Sequence, residues 1–357
     1  MTAAIPTHGG NLRWAAAIAQ CAPDEILDFS ASINPLGPPQ SVLDALRNAI
    51  ESQQALTAYP DPSYRRLREV IAQHHNIDPD WIFPGNGAAE LFTWIARDCS
   101  DLATVYLPVP AFADYERALK ALNIPITTIP LSLEPDNFDL PWARSPQPHS
   151  ALLLNNPHNP TGRLWSADAI RGQLAETAEA LDLVAIDEAF IDFLPPDQQQ
   201  SLIDQVAEYP SLVIVRSLTK FYSIPGLRLG YAIAHPDRLK RWQQWRDPWC
   251  VNALAEVAGI AALGDRDFAR QTWQWLPTAR GQLQDGISKL PGMTVYPGAA
   301  NYLLVKSAMA AEIQQTLLMG DRIAIRNCST FPELGDNYFR IAVRTLSENQ
   351  RLIHALQ

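Results

Sequence analysis

Five short apolar runs recur through the middle of the chain: Thr104-Val105-Tyr106-Leu107, Ala151-Leu152-Leu153-Leu154, Leu183-Val184-Ala185-Ile186, Leu212-Val213-Ile214-Val215 and Gly230-Tyr231-Ala232-Ile233, with helical patterns between several of them. Unbroken apolar runs of this length suit strands buried on both faces, as in a parallel sheet covered by helices. Residues 167–180 interleave Ala, Leu and Ile with charged residues behind Ser166, a candidate N-cap, and read as a crossover helix. The pattern predicts an α/β fold with a mainly parallel central sheet. From about Asp265 the character changes. A long helical pattern through Trp273 and Arg280 precedes strands expected at 293–296, 302–305, 322–326 and 339–343, which we assign to a smaller α+β domain. At 357 residues the chain exceeds the usual single-core size. The expected division is a large domain, 38–264, and a small domain built from 1–37 and 265–357, with the run Asn34-Pro35-Leu36-Gly37-Pro38-Pro39 marking the crossing.

Composition narrows the function. Hydrophobic residues make up 47% of the chain and charged residues 18%, which predicts globular structure throughout. A formal charge of −10 disfavours nucleic-acid binding while leaving room for a local basic pocket for an anionic metabolite. The N-terminus has no basic segment followed by an apolar run, and no stretch is long enough to span a bilayer, so a cytoplasmic protein without membrane contact is expected. Cys21, Cys99, Cys250 and Cys328 stand singly, which suggests neither a disulfide framework nor a cysteine metal site. No metal is expected.

The chemistry concentrates at the ends of the apolar runs. Past the fourth comes Ser217-Leu218-Thr219-Lys220, followed by Arg228. A lysine at the C-terminal end of a strand in an open α/β sheet sits where such sheets bind ligands. With its amine made neutral by burial and nearby positive charge, it can form a Schiff base with an aldehyde. Ser217, Thr219 and Arg228 are suited to hold a phosphate, and the set reads as a site for pyridoxal phosphate. Asp187 ends the third run and is placed to pair with a protonated pyridine nitrogen; a helix N-cap or a surface acid would look the same in sequence. Asn159, in Asn155-Asn156-Pro157-His158-Asn159-Pro160-Thr161-Gly162, is free to donate to a ring oxygen, or belongs to a plain turn. Gly85-Asn86-Gly87-Ala88 opens onto a helical pattern, as in loops whose backbone N–H groups approach phosphate. Singly each has an ordinary explanation. Their common position at strand ends and helix starts argues for one site.

On these motifs the chain resembles the fold type I pyridoxal phosphate enzymes of the class I/II aminotransferase group, in the branch that holds histidinol-phosphate aminotransferase and threonine-phosphate decarboxylase. The resemblance covers essentially the whole chain. It implies that Lys220 carries the cofactor, Asp187 pairs with its pyridine nitrogen, Asn159 meets the ring oxygen and Phe112 stacks on the ring. Gly87, Ala88, Ser217, Thr219 and Arg228 would hold the phosphate, with Tyr59 reaching it from the partner of a homodimer. Phe190 stands where the aminotransferases carry a tyrosine. His8-Gly9-Gly10-Asn11, residues 28–37, Trp249-Cys250-Val251-Asn252 and Arg340-Ile341-Ala342-Val343-Arg344 resemble the decarboxylase side of the branch. They imply a pocket for a phosphorylated amino acid formed by His8, Asn34, Arg326, Arg340 and Arg344. Four residues apart on a strand, Arg340 and Arg344 are expected on one face. The implied reaction converts L-threonine O-3-phosphate to (R)-1-amino-2-propanol O-2-phosphate and carbon dioxide for cobalamin synthesis. The alternatives are transamination of histidinol phosphate and a non-enzymatic regulator that binds pyridoxal phosphate.

Overall fold

The computed structural model describes residues 6–134 and 139–357. Among them thirteen strands form: β1 (Leu27–Asp28), β2 (Ile82–Gly85), β3 (Val105–Val109), β4 (Ile126–Pro130), β5 (Ser150–Asn155), β6 (Leu181–Asp187), β7 (Leu212–Ser217), β8 (Gly230–Ala234), β9 (Thr294–Tyr296), β10 (Tyr302–Lys306), β11 (Ile323–Ala324), β12 (Arg326–Asn327) and β13 (Tyr338–Ala342). Seven build the large sheet in the order β2-β8-β7-β6-β5-β3-β4, in which β8 runs antiparallel to both neighbours and the remaining pairs are parallel.

The central strands carry apolar residues on both faces. Leu152, Leu154, Val184, Ile186, Leu212 and Ile214 pack into one core, while Ala151, Leu153, Leu183, Ala185, Val213 and Val215 pack into the other. Each large side chain so buried contributes on the order of 2 kcal/mol relative to exposure, which fixes register as well as stability because a one-residue slip would exchange the faces. The crossover helix forms at Ala167–Thr177, with the Ser166 hydroxyl accepting from the Ala169 N–H.

Register sets up the site. Asn155 lies opposite Asp187, and Asp187 opposite Val215, two residues before Ser217. β5 and β6 therefore end level, β7 runs two residues further, and the C-terminal residues of all three face one crevice. An antiparallel sheet, β12-β13-β10-β9, forms the smaller domain, and a two-stranded parallel sheet joins β1 to β11.

The strand expected over 322–326 is in fact two. Ile323 and Ala324 pair with Leu27 and Asp28, after which the chain changes sheets so that Arg326 lies opposite Arg340. The last strand ends at Ala342, so Arg344 does not share a strand face with Arg340.

Candidate active site

A cavity of about 560 Å³ lies between the C-terminal edge of the large sheet and the antiparallel sheet. Lys220 lines it from a four-residue helix, Leu218–Phe221, that continues directly from β7. Its Nζ is 4.9 Å from the centroid of the Phe190 ring, and no described residue hydrogen-bonds it. Burial pushes the amine down to about 8, against the pull of Asp187 and with help from Arg340 and Arg228.

Asp187 ends β6. Its Oδ2 accepts from the Tyr115 hydroxyl, and its Oδ1 accepts from the Ala189 N–H at 2.9 Å. Burial raises its pKa, while Tyr115 and Lys220 pull it back towards the carboxylate form. Asn155 ties the neighbouring strand to this point: its Nδ2 donates to the Asp187 carbonyl at 2.7 Å, and its Oδ1 accepts from the Asn159 N–H at 2.6 Å. The Asn159 Oδ1 accepts from Arg340, which leaves its Nδ2 as a free donor among the described residues.

On the other flank, the hydroxyls of Ser217 and Thr219 are 2.8 Å apart beside Arg228. Gly87 caps helix Ala88–Asp98 with φ +79°, and a Cβ there would lie 2.5 Å from the Arg228 guanidinium. Glycine alone combines that backbone conformation with that approach. Ala88 reaches the cavity, and its N–H belongs to the first turn of an 11-residue helix, where unpaired donors and the helix field favour an anion.

The far wall is cationic. Arg340 lies over the Tyr302 ring at 4.8 Å, and its buried Nε has no partner among the described residues. Arg326, directly opposite on the neighbouring strand, donates to the Pro6 carbonyl at 2.8 Å, the Thr7 carbonyl and the Thr330 hydroxyl at 2.7 Å. Burial and then Arg340 push Arg326 down to about 10. Like charges facing each other across a sheet are destabilising, so this pair concentrates positive charge at a cost to the fold. His8 is carried in by the same N-terminal segment and sets its ring 5.4 Å from that of Phe112. Its pKa is lowered by burial, with Asp114 opposing.

Four residues expected from sequence are not in the cavity lining: Gly87, which abuts the Arg228 guanidinium, and Asn34, Arg344 and Tyr59. Asn34 is buried behind the lysine. Its Nδ2 donates to the Phe221 carbonyl at 2.9 Å and to Thr272 Oγ1 at 2.8 Å, and its own N–H donates to the Lys220 carbonyl at 3.1 Å. It braces the Lys220 helix. Arg344 pairs with Glu348 at 2.8 Å and donates to the Asp28 carbonyl at 3.1 Å. Tyr59 is 80% exposed and lies against Trp249, its ring tilted 33° with centroids 4.7 Å apart. Conversely, sequence reasoning gave no role to Tyr115, Asn155 or Tyr302. Tyr115 was within reach of it: a helix starting at Ala113 sets residues 112 and 115 side by side, and their rings meet edge to face at 5.5 Å.

The family model described as "Aminotransferase class I and II" matches residues 24–356. The chain is 39% identical over 355 residues to the threonine-phosphate decarboxylase of Salmonella typhimurium, covering 98% of this chain and 95% of that protein. It is 32% identical over 338 residues to a histidinol-phosphate aminotransferase of Symbiobacterium thermophilum, covering 93% and 90%. The solved structure of L-threonine-O-3-phosphate decarboxylase from Porphyromonas gingivalis superposes with a TM-score of 0.81 at 26% identity, covering 93% of this chain and 98% of that one.

Proposed function

The chain belongs to the class I and II aminotransferase family, with pyridoxal 5′-phosphate as its cofactor, and on that premise we propose that it decarboxylates L-threonine O-3-phosphate to (R)-1-amino-2-propanol O-2-phosphate in cobalamin biosynthesis. The observation that carries the reading is one cavity in which a lysine unpaired among the described residues and a buried carboxylate lie between Arg228 on one flank and the Arg326–Arg340 pair on the other. Such a pocket suits a phosphorylated cofactor together with a substrate that bears two anionic groups.

The residues fit the cofactor. Lys220 offers an amine without a hydrogen-bond partner among the described residues, and Ser217, Thr219, Arg228 and the Gly87–Ala88 turn would form a cradle for its phosphate. Asp187, oriented by Tyr115, would pair with the pyridine nitrogen, Asn159 would donate to the ring oxygen, and Phe112 would lie against the ring. When bound, pyridoxal 5′-phosphate supplies an aldehyde that bonds an amine and a cationic ring that withdraws electrons from the carbon carrying that amine.

What the chain adds is orientation. Arg340, held by Asn159 and the Tyr302 ring, would grip one anionic group of the substrate, and Arg326 with His8 the other. Fixing two anionic groups leaves the substrate little rotational freedom, so their placement would decide which bond at the reacting carbon is set to break. Lys220, which lines the cavity beside Phe190, would be the base to move a proton at that carbon and would take part in releasing the product. Phe190 leaves the space beside Lys220 without a hydroxyl.

Arg344 acts at one remove, through the Asp28 carbonyl and Glu348. Arg340→Ala is therefore expected to lower kcat/KM for threonine phosphate on the order of 100-fold or more, whereas Arg344→Ala costs less than about tenfold. Steady-state kinetics of carbon dioxide release checks the order, and equal losses would show that Arg344 acts on the substrate as directly as Arg340.

We also propose a homodimer, with the protein working in the cytoplasm. Among the described residues no helix is long and apolar enough to cross a membrane. The exposed Tyr59–Trp249 pair, with Ile50 and Leu56 also exposed, supports a subunit contact through which Tyr59 reaches the partner's cofactor phosphate. Heterodimers re-formed from Lys220→Ala and Tyr59→Phe chains should regain activity that neither parent has. Their failure to do so, with the Tyr59→Phe parent impaired, would place Tyr59 outside a shared site.

A further inference from the structure

A second cavity, of about 420 Å³, lies at the outer edge of the large sheet, beside β2 and helix Pro236–Trp245. Arg246 lines it and is 7% exposed. Its guanidinium packs 3.7 Å from the centroid of the Phe83 ring and 5.5 Å from that of Tyr64, and its Nη1 donates to the Pro84 carbonyl. Among the described residues its buried Nε has no partner, its Nη2 has none, and no carboxylate forms an ion pair with it. Arg216, similarly buried, shows what such a charge ordinarily requires: Glu188 at 2.7 Å and Asp192 at 2.6 Å. An unpaired buried cation is costly, and aromatic faces compensate for it only in part.

The other two cations of the lining are paired, Arg68 with Asp80 at 2.7 Å and Lys240 with Asp237 at 3.4 Å, which leaves Arg246 as the lining cation without a carboxylate among the described residues. Ser63 and Gln243 supply polar groups. A net positive cavity in a chain of charge −10 runs against the composition. We propose that this cavity binds a small tetrahedral oxyanion, either inorganic phosphate or the phosphoryl group of a small phosphomonoester, with Arg246 as its principal ligand. Nη2, the guanidinium nitrogen neither committed to Pro84 nor buried, offers such an anion a charge-assisted donor, and the volume admits a phosphate with a short organic substituent. Pro84, whose carbonyl Arg246 holds, lies on the strand that feeds Gly87 and Ala88, so the bound anion would tether the strand leading into the active-site loop.

The test compares the cofactor-loaded wild-type protein with Arg246→Met in phosphate-free buffer, then with added phosphate or ethyl phosphate at constant ionic strength. Wild type should melt about 2 °C higher with saturating anion, and the variant should lack that part of the shift. The larger of the two responses identifies free phosphate or the ester as the fitting source. Without anion the variant should melt at or above wild type, because an unpaired buried charge has been removed. A variant that melts lower in every buffer with an undiminished phosphate response would show that Arg246 serves only to hold Pro84, and would overturn the proposal. Should the variant fail to fold, wild-type crystals soaked in selenate decide: an anomalous peak within hydrogen-bond distance of the Arg246 guanidinium supports the site. Absence of that peak, or a carboxylate from a second copy of the chain in its place, refutes it.

Discussion

Replacing Lys220 with Ala is expected to lower turnover on the order of 10⁴-fold or more while leaving the fold and the oligomeric state close to wild type. The side chain makes no hydrogen bond with a described residue, so its loss removes a reacting amine and little packing. Borohydride treatment of the loaded wild-type protein should fix the cofactor to this residue and bleach the imine absorbance. The pH dependence has a definite sign. Because burial pushes the amine down to about 8, the neutral, reactive form predominates above that pH. Cofactor uptake by the apoprotein should therefore accelerate as pH rises towards about 8 and level off beyond it. An ordinary lysine, with a pKa of about 10.4, would keep accelerating to about pH 10. Labelling of another lysine, or a profile that climbs without a plateau, would contradict the assignment.

Asp187→Asn is expected to slow the chemical step on the order of 10³-fold. An amide cannot keep the pyridine nitrogen protonated, and the ring then withdraws electrons poorly. Cofactor affinity should fall much less, because Ser217, Thr219, Arg228 and the Gly87–Ala88 turn are untouched. Single-turnover rates and a fluorescence titration of cofactor binding separate the two effects. Tyr115→Phe, which removes only the hydroxyl donating to Asp187, should show a smaller loss in the same direction. Single-turnover rates within tenfold of wild type for Asp187→Asn would exclude Asp187 as the partner of the ring.

The residues that could be read from sequence are those whose environment is set by their own strand. β5, β6 and β7 are apolar on both faces, a pattern that identifies buried parallel strands, and Asp187, Ser217 and Lys220 follow from being at or just past their ends. Contacts made across the fold were not legible. Asn34 is claimed by Thr272 and the Phe221 carbonyl, far away in sequence, and no local spacing announces it. Splitting of the 322–326 run depends on β1 arriving beside Ile323 and Ala324, which is likewise non-local. Arg344 is different, because the sequence did hold the warning. Thr345-Leu346-Ser347-Glu348 has the spacing of a capping box, and the structure forms one there. That signature starts a helix at Leu346 and places Glu348 beside Arg344, which excludes a strand continuing through the arginine.

Carbon dioxide and transferred amine, counted together in one reaction, separate decarboxylation from transamination. Cofactor-loaded protein is given L-threonine O-3-phosphate with and without 2-oxoglutarate, and histidinol phosphate with 2-oxoglutarate in parallel. The expected result is one carbon dioxide per threonine phosphate consumed, a rate indifferent to 2-oxoglutarate, and slow release from unphosphorylated threonine, which lacks the group that Arg326 and His8 would hold. Efficient 2-oxoglutarate-dependent conversion of histidinol phosphate, with no carbon dioxide from threonine phosphate, would contradict it and assign the same cavity to transamination.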